Sequence, residues 1–228
     1  MKVPPSDLFL GICLGSLAGY VDTAGFVALY GLFTAHVTGN FVLIGAALAS
    51  TAHATLLLKC LAFPAFAAGV VGTRLLGNAC ERRGTPPVRP MLALQLALLT
   101  SFMVVALLAA PIVSPEAPLV LVAGMLGAAA MGVQNAAGKL QFSRIAPTTV
   151  MTGNVTELLI DMTDLASGHG TPAAREKFVR FVWPVLAFAV GCIAGGGAYV
   201  TAGFWCLLLP IGAIAMLLLA PWPKPVAA

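Results

Sequence analysis

Long apolar runs separated by short polar clusters constrain this chain more than any other feature. They extend from Leu8 to Leu32, Phe41 to Ala49, Leu56 to Ala79, Met91 to Ala110, Leu119 to Leu140, Val155 to Ile160, Phe178 to Val200 and Gly203 to Ala220. A run of about 20 apolar residues crosses a ~30 Å hydrocarbon core, and most of these runs are that long. With 60% of residues hydrophobic, 9% charged and a mean hydropathy of +0.98, too little polar surface remains to face water. The chain is expected to be an all-α integral membrane protein. Its first run follows Met1-Lys2 as a secretory signal would, yet it continues past any small-residue cleavage site to Asp22 and Leu32. It reads as an uncleaved first span.

Composition removes several other classes. The net charge of +4 comes from basic residues in short loops, without an aromatic-interleaved patch, so no nucleic-acid partner is expected. The five cysteines show neither Cys-x-x-Cys nor zinc-ligand spacing and read as small apolar residues inside helices. There is no His-Glu-x-x-His, no Gly-x-Ser-x-Gly and no paired-carboxylate cluster, so no catalytic residues, metal site or cofactor are expected.

The two shortest runs follow the same tripeptide, Thr38-Gly39-Asn40 and Thr152-Gly153-Asn154. Sliding the chain on itself by about 113 residues aligns more than this tripeptide. Gly11, Gly15 and Gly19 fall on Gly124, Ala128 and Gly132. The stretch Gly19-Tyr20-Val21-Asp22 to Gly25 falls on Gly132-Val133-Gln134-Asn135 to Gly138. His36 to Asn40 falls on Val150 to Asn154 after one inserted residue, and Phe66 to Gly69 resembles Phe188 to Gly191. Ordered matches of this kind mark a duplication, with repeat one over 8–111 and repeat two over 117–221. The pair forms one membrane domain.

Charge decides how the two copies are oriented. Lys and Arg in short loops favour the cytoplasmic side. If both Thr-Gly-Asn segments are re-entrant and the N-terminus is inside, Lys59 alone of the twelve Lys and Arg residues lies outside. If both segments span, the twelve divide evenly. Gly31 to Val37 would descend about 23 Å when extended, and a helix from Thr38 to Ser50 would return about 20 Å. The expected architecture is therefore six transmembrane helices plus two re-entrant half-helices in two inverted repeats. Both termini are expected to be cytoplasmic, in a bacterial inner membrane.

Irregular backbone inside the hydrocarbon must be buried in protein or line a watery cavity. At each break Thr can cap a helix, Gly permits an unusual backbone angle and Asn supplies an amide. A half-helix N-terminus presents free N–H groups and partial positive charge. Two such ends meeting across a pseudo-twofold would make a site for a polar or anionic solute; alternatively the breaks are kinks whose polar atoms satisfy one another. Asp22, deep in the first run, is a candidate for proton coupling or for an interhelical hydrogen bond. Its repeat mate is Asn135, beside Gln134. His36 titrates near neutrality if it faces a cavity and is otherwise simply hydrogen-bonded. Asn154, Glu157 and Asp161 share one helical face, which either lines a vestibule or pairs with Arg144 or Arg180. The glycine ladder from Gly11 to Gly19 and the run Gly195 to Gly197 read as close helix packing.

The stretches Gly19 to Gly25, His36 to Gly45, Gly132 to Asn135 and Thr148 to Leu158 resemble the YoaK family of bacterial multi-pass membrane proteins, a domain of unknown function. The resemblance covers nearly the whole chain and implies a bacterial membrane location. That family's pattern often has Thr where this chain has Asn154, so the resemblance assigns no fixed role to that amide. The expected function is a small transporter or channel whose substrate-binding residues are Asp22, His36, Thr38, Gly39, Asn40, Gln134, Asn135, Thr152, Gly153 and Asn154. The competing expectation is a structural or accessory membrane protein. The lipid bilayer and a small polar solute or ion are the expected partners, and the span count leaves room for a homodimer.

Overall fold

The computed structural model describes residues 5–49 and 54–222; Lys2, Ser50, His53 and Lys224 lie outside them. The described residues form eight α-helices: α1 (Asp7–Ala28), α2 (Val37–Leu48), α3 (Leu56–Arg82), α4 (Val88–Ala109), α5 (Pro118–Gln141), α6 (Met151–Ala166), α7 (Pro172–Ala202) and α8 (Leu208–Leu219). A 3-10 turn, Gly203–Leu207, joins the last two. Five helical stretches are long and apolar enough to cross a membrane: α1, α3, α4, α5 and the 48-residue stretch Pro172–Leu219. Gly203, at φ 55°, interrupts that last stretch between α7 and α8. A positive φ is what glycine alone adopts without strain.

The two ends of α1 are fixed in different ways. Ser6 caps the helix start by accepting from the Phe9 N–H at 3.2 Å. At the other end the chain leaves the helix through two residues of positive φ, Tyr30 at 52° and Gly31 at 75°. That conformation is unfavourable for a bulky residue. It is held because Lys59, 5% exposed in the first turn of α3, donates to the Tyr30 carbonyl at 3.1 Å and to Thr55 Oγ1 at 2.7 Å. The Lys59 charge is therefore an anchor for the α1 terminus.

The long helices pair across the duplication. The first helix of each repeat packs chiefly against the third helix of the other, α1 on α7 and α5 on α3. Glycines let these backbones touch. A Cβ on Gly19 would lie 2.3 Å from the Phe188 carbonyl oxygen, and one on Gly132 would lie 2.3 Å from that of Phe66. Conversely, a Cβ on Gly191 would lie 2.1 Å from Ser16 O, and one on Gly69 2.2 Å from Ala129 O. Phe66 matches Phe188 and Ser16 matches Ala129 in the sequence alignment of the repeats. The two interfaces therefore use the same contacts, as expected of the small-residue packing that brings membrane helices together.

The segments that precede the short helices fill the centre. Leu32, ahead of α2, packs into the notch at Gly124 of α5, where a Cβ would meet its Cδ2 at 2.8 Å. Ile145, ahead of α6, lies over Gly11 of α1 at 3.9 Å by the same measure. Gly11 and Gly124 are repeat mates, as are Leu32 and Ile145. Each irregular segment thus rests on the first helix of the opposite repeat, and its apolar side chains are part of the core.

Candidate functional site

The first break is organised by Asp22. Its side chain, 4% exposed within α1, accepts at Oδ1 from the Thr34 N–H at 2.7 Å and the Ala35 N–H at 2.6 Å. Thr34 Oγ1 adds a contact at 3.3 Å, and His36 Nδ1 lies 2.6 Å from Oδ2. A buried carboxylate is costly unless several donors surround it, and here the segment leading into α2 supplies them. The His36 ring stands edge-on to Phe33 and to Phe188 of α7, with centroids 6.1 Å and 5.5 Å apart. The Asp22–His36 pair therefore lies where α1, the first break and α7 meet.

Asn40 completes this arrangement. Its Oδ1 accepts from the Phe33 N–H at 3.0 Å, and its Nδ2 donates to the Phe33 carbonyl at 2.8 Å. The methyl group of Thr34 fills the gap between Gly25 and Gly127, at 2.9 Å and 3.1 Å from the positions their Cβ atoms would take.

The second break repeats this plan with neutral groups. Asn135, the mate of Asp22, donates to Thr149 Oγ1 at 2.5 Å. Asn154 donates to the Pro147 carbonyl at 2.5 Å. Pro147 stands where the first repeat has Phe33, and a proline has no N–H to return. Gln134 serves a different network: it donates to Leu14 O at 2.8 Å and Thr148 Oγ1 at 3.2 Å, and accepts from Gln95 Nε2 at 2.8 Å.

Several expected roles change. The short helices begin at Val37 and Met151, with no side-chain cap, so Thr38 and Thr152 are the second residues of their helices and do not cap them. Both threonines are exposed, Gly153 is exposed and Gly39 is half-buried under the Phe33 ring. Only the asparagine of each tripeptide is buried, and it binds its own loop. The short helix α2 packs along α3, and α6 packs along α7.

The acidic face of α6 also has a different partner. Glu157 pairs with Lys177 of α7, whose Nζ is 3.8 Å from Asp161 Oδ1. Arg144 and Arg180 were the expected partners. Since α6 lies along the start of α7, Lys177 reaches the acidic face, whereas Arg180 is stacked over the Phe181 ring at 5.4 Å. Asp161, 5% exposed, keeps its Oδ2 without a hydrogen bond among the described residues.

A cavity of about 450 Å³ borders the second break, between the end of α5, the 142–150 segment and the start of α7. Asn135, Thr148 and Thr149 line it, while Asp22, His36 and both tripeptides lie outside its lining. Gln95, Lys139 and Arg180 were not among the residues expected at a site. Gln95 had a legible signal, being an isolated amide in an apolar run; the two cations lie in loop-proximal sequence that reads simply as topogenic charge.

Comparison with known proteins places this geometry in context. Residues 10–220 match the family described as protein of unknown function (DUF1275). The chain is 32% identical over 154 residues to the UPF0700 transmembrane protein YoaK of Bacillus subtilis (strain 168), a match covering 67% of this chain and 64% of that protein. The chain thus spans less than two thirds of that relative's length. No solved structure matches.

Proposed function

Because the chain belongs to the DUF1275 family of transmembrane proteins, whose function is unknown, we propose a role from its own geometry: a small secondary transporter or channel for a polar or anionic solute. In this reading six helices span a bacterial inner membrane, with both termini cytoplasmic. The segments before α2 and α6 are re-entrant from opposite faces of two inverted repeats. The length of α8 and its preceding 3-10 turn agrees with a sixth span, since they rise about 28 Å together.

The observation that carries this reading is the matched pair of broken segments, the first seated in the Gly124 notch of α5 and the second touching α1 at Gly11 beside Pro184. Inverted-repeat transporters bind solute where discontinuous helices meet the opposite repeat, and alternating access moves one repeat against the other. The Asp22–His36 pair, at 2.6 Å, supplies a group able to exchange a proton on the outer side. The second break, neutral at Asn135 and bordered by a cavity, supplies the inner side.

A second reading, an accessory protein without flux, draws support from Asn40 and Asn154, whose amides are engaged by their own loops. Solute uptake into proteoliposomes separates the two. Transport predicts a flux reduced at least about tenfold by Asp22→Asn and unchanged in a lipid-facing control, Gly197→Ala. The absence of any flux sensitive to Asp22 or Asn40 across organic acids, inorganic anions and neutral polar solutes would leave the accessory reading.

A further inference from the structure

The two breaks stand at matched places in the sequence and differ in charge. At the first, Asp22 and Phe26 occupy successive turns of α1; at the second, their mates on α5 are Asn135 and Lys139. Replacing a carboxylate by an amide and an aromatic ring by an ammonium changes the electrostatic character of the site. The 450 Å³ cavity is lined by Lys139 of α5 and Arg180 of α7, together with Asn135, Ser143 and Thr149, and no Asp or Glu is in its lining. Among the described residues no carboxylate lies within ion-pair distance of Lys139, Arg144 or Arg180. An adjoining cleft of about 400 Å³ shares Arg180 and is lined also by Arg144, Asp7 and Glu176.

We propose that the cavity between α5, the 142–150 segment and α7 is a binding site for a small oxyanion, a carboxylate or phosphate group, held between Lys139 and Arg180. The chemistry is specific to the residue types. Arg180 offers a planar fork suited to two oxygens, and Lys139 a point charge. Ser143 and Thr149 offer hydroxyl donors, and Asn135 an amide. The volume falls in the range of small-molecule sites, roughly 300–1,000 Å³, well above what a chloride ion needs. This inference goes beyond the transport reading, since binding here requires no flux. The anion has two sources, a soluble acid or a phospholipid headgroup.

The test uses the purified full chain in a zwitterionic detergent, with thermal unfolding followed against inorganic phosphate, succinate, and phosphatidylglycerol in mixed micelles. Sodium chloride at equal ionic strength is the screening control. A saturable rise in midpoint with phosphate or succinate, weakened about tenfold or more in half-saturation by Lys139→Gln and by Arg180→Gln, supports a soluble oxyanion. The same pattern with phosphatidylglycerol alone supports the headgroup source and argues against the cavity as a transport site. Asn135→Asp is a second variant: it places a carboxylate one turn from Lys139, at a position where the first repeat already carries one, and is expected to abolish binding while the protein folds. Arg175→Gln removes a cation outside this cavity and is expected to change nothing. A rise that matches sodium chloride, or one equal in all the variants, overturns the proposal. Binding that depends on Lys139 and Arg180 without any flux refutes the transporter and leaves this site standing.

Discussion

Asn40 is bound to Phe33 twice, accepting from its N–H at 3.0 Å and donating to its carbonyl at 2.8 Å, so that the irregular backbone ahead of α2 is tied to the first turn of that helix. The matching asparagine, Asn154, has one such bond because Pro147 offers a carbonyl alone. Asn40→Ala leaves two backbone groups unpaired, at about 1–3 kcal/mol each, whereas Asn154→Ala leaves one. Thermal unfolding in detergent should therefore show a larger loss for Asn40→Ala. Equal losses would mean that the loops are held by something other than these amides.

The crossed helix pairing makes a prediction about glycine. Gly69→Ala and Gly191→Ala push a methyl group against the backbone of Ala129 and Ser16, and the helices must separate at a cost of about 1–3 kcal/mol or more. Gly197→Ala, with nothing within 4 Å of its added Cβ, should be neutral or stabilising by up to about 1 kcal/mol. Unfolding midpoints of the three variants, measured side by side, test whether α1·α7 and α3·α5 are the tight interfaces.

Lys59 should behave as a structural cation. Lys59→Met retains the aliphatic stem and removes the ammonium that binds Tyr30 O and Thr55 Oγ1. Loss of a hydrogen bond from a charged donor is expected to cost about 1.5–3 kcal/mol. Lower thermal stability with unchanged orientation in the membrane is the expected outcome. An inverted orientation would instead assign Lys59 a topogenic role.

Orientation itself is accessible to labelling. Val113, 82% exposed in the connection between α4 and α5, is expected outside, and Thr85 between α3 and α4 inside. In a cysteine-free background, an impermeant maleimide added to intact cells should label Val113→Cys and spare Thr85→Cys. The opposite pattern would reverse the inverted-repeat topology proposed above.

Asp22 and Asn135, the two tripeptides and the spaced glycines stand at matched intervals along the chain. The tripeptide itself was partly misleading. Thr38 and Thr152 look like caps, yet each lies within its helix and is exposed, because the helix begins one residue earlier. Asn40 and Asn154 read from the sequence either as site amides or as groups satisfied within the break, and nothing local says that a partner lies seven residues back. Similarly, Glu157 and Asp161 advertise a need for a cation, and only the packing of α6 on α7 selects Lys177 over Arg180.

Hydropathy and periodic small residues act locally along a chain, so the sequence by itself determined that this is a helical membrane protein. Which helix lies against which is decided by contacts between residues far apart, where dispersion between close backbones outweighs any local preference. Tertiary structure alone therefore decided the crossing of the repeats, the packing of α2 on α3 and of α6 on α7, and the meeting of Lys139 and Arg180 in the lining of one cavity. Those cations are more than forty residues apart, and each on its own is indistinguishable from a charge that merely marks a membrane face.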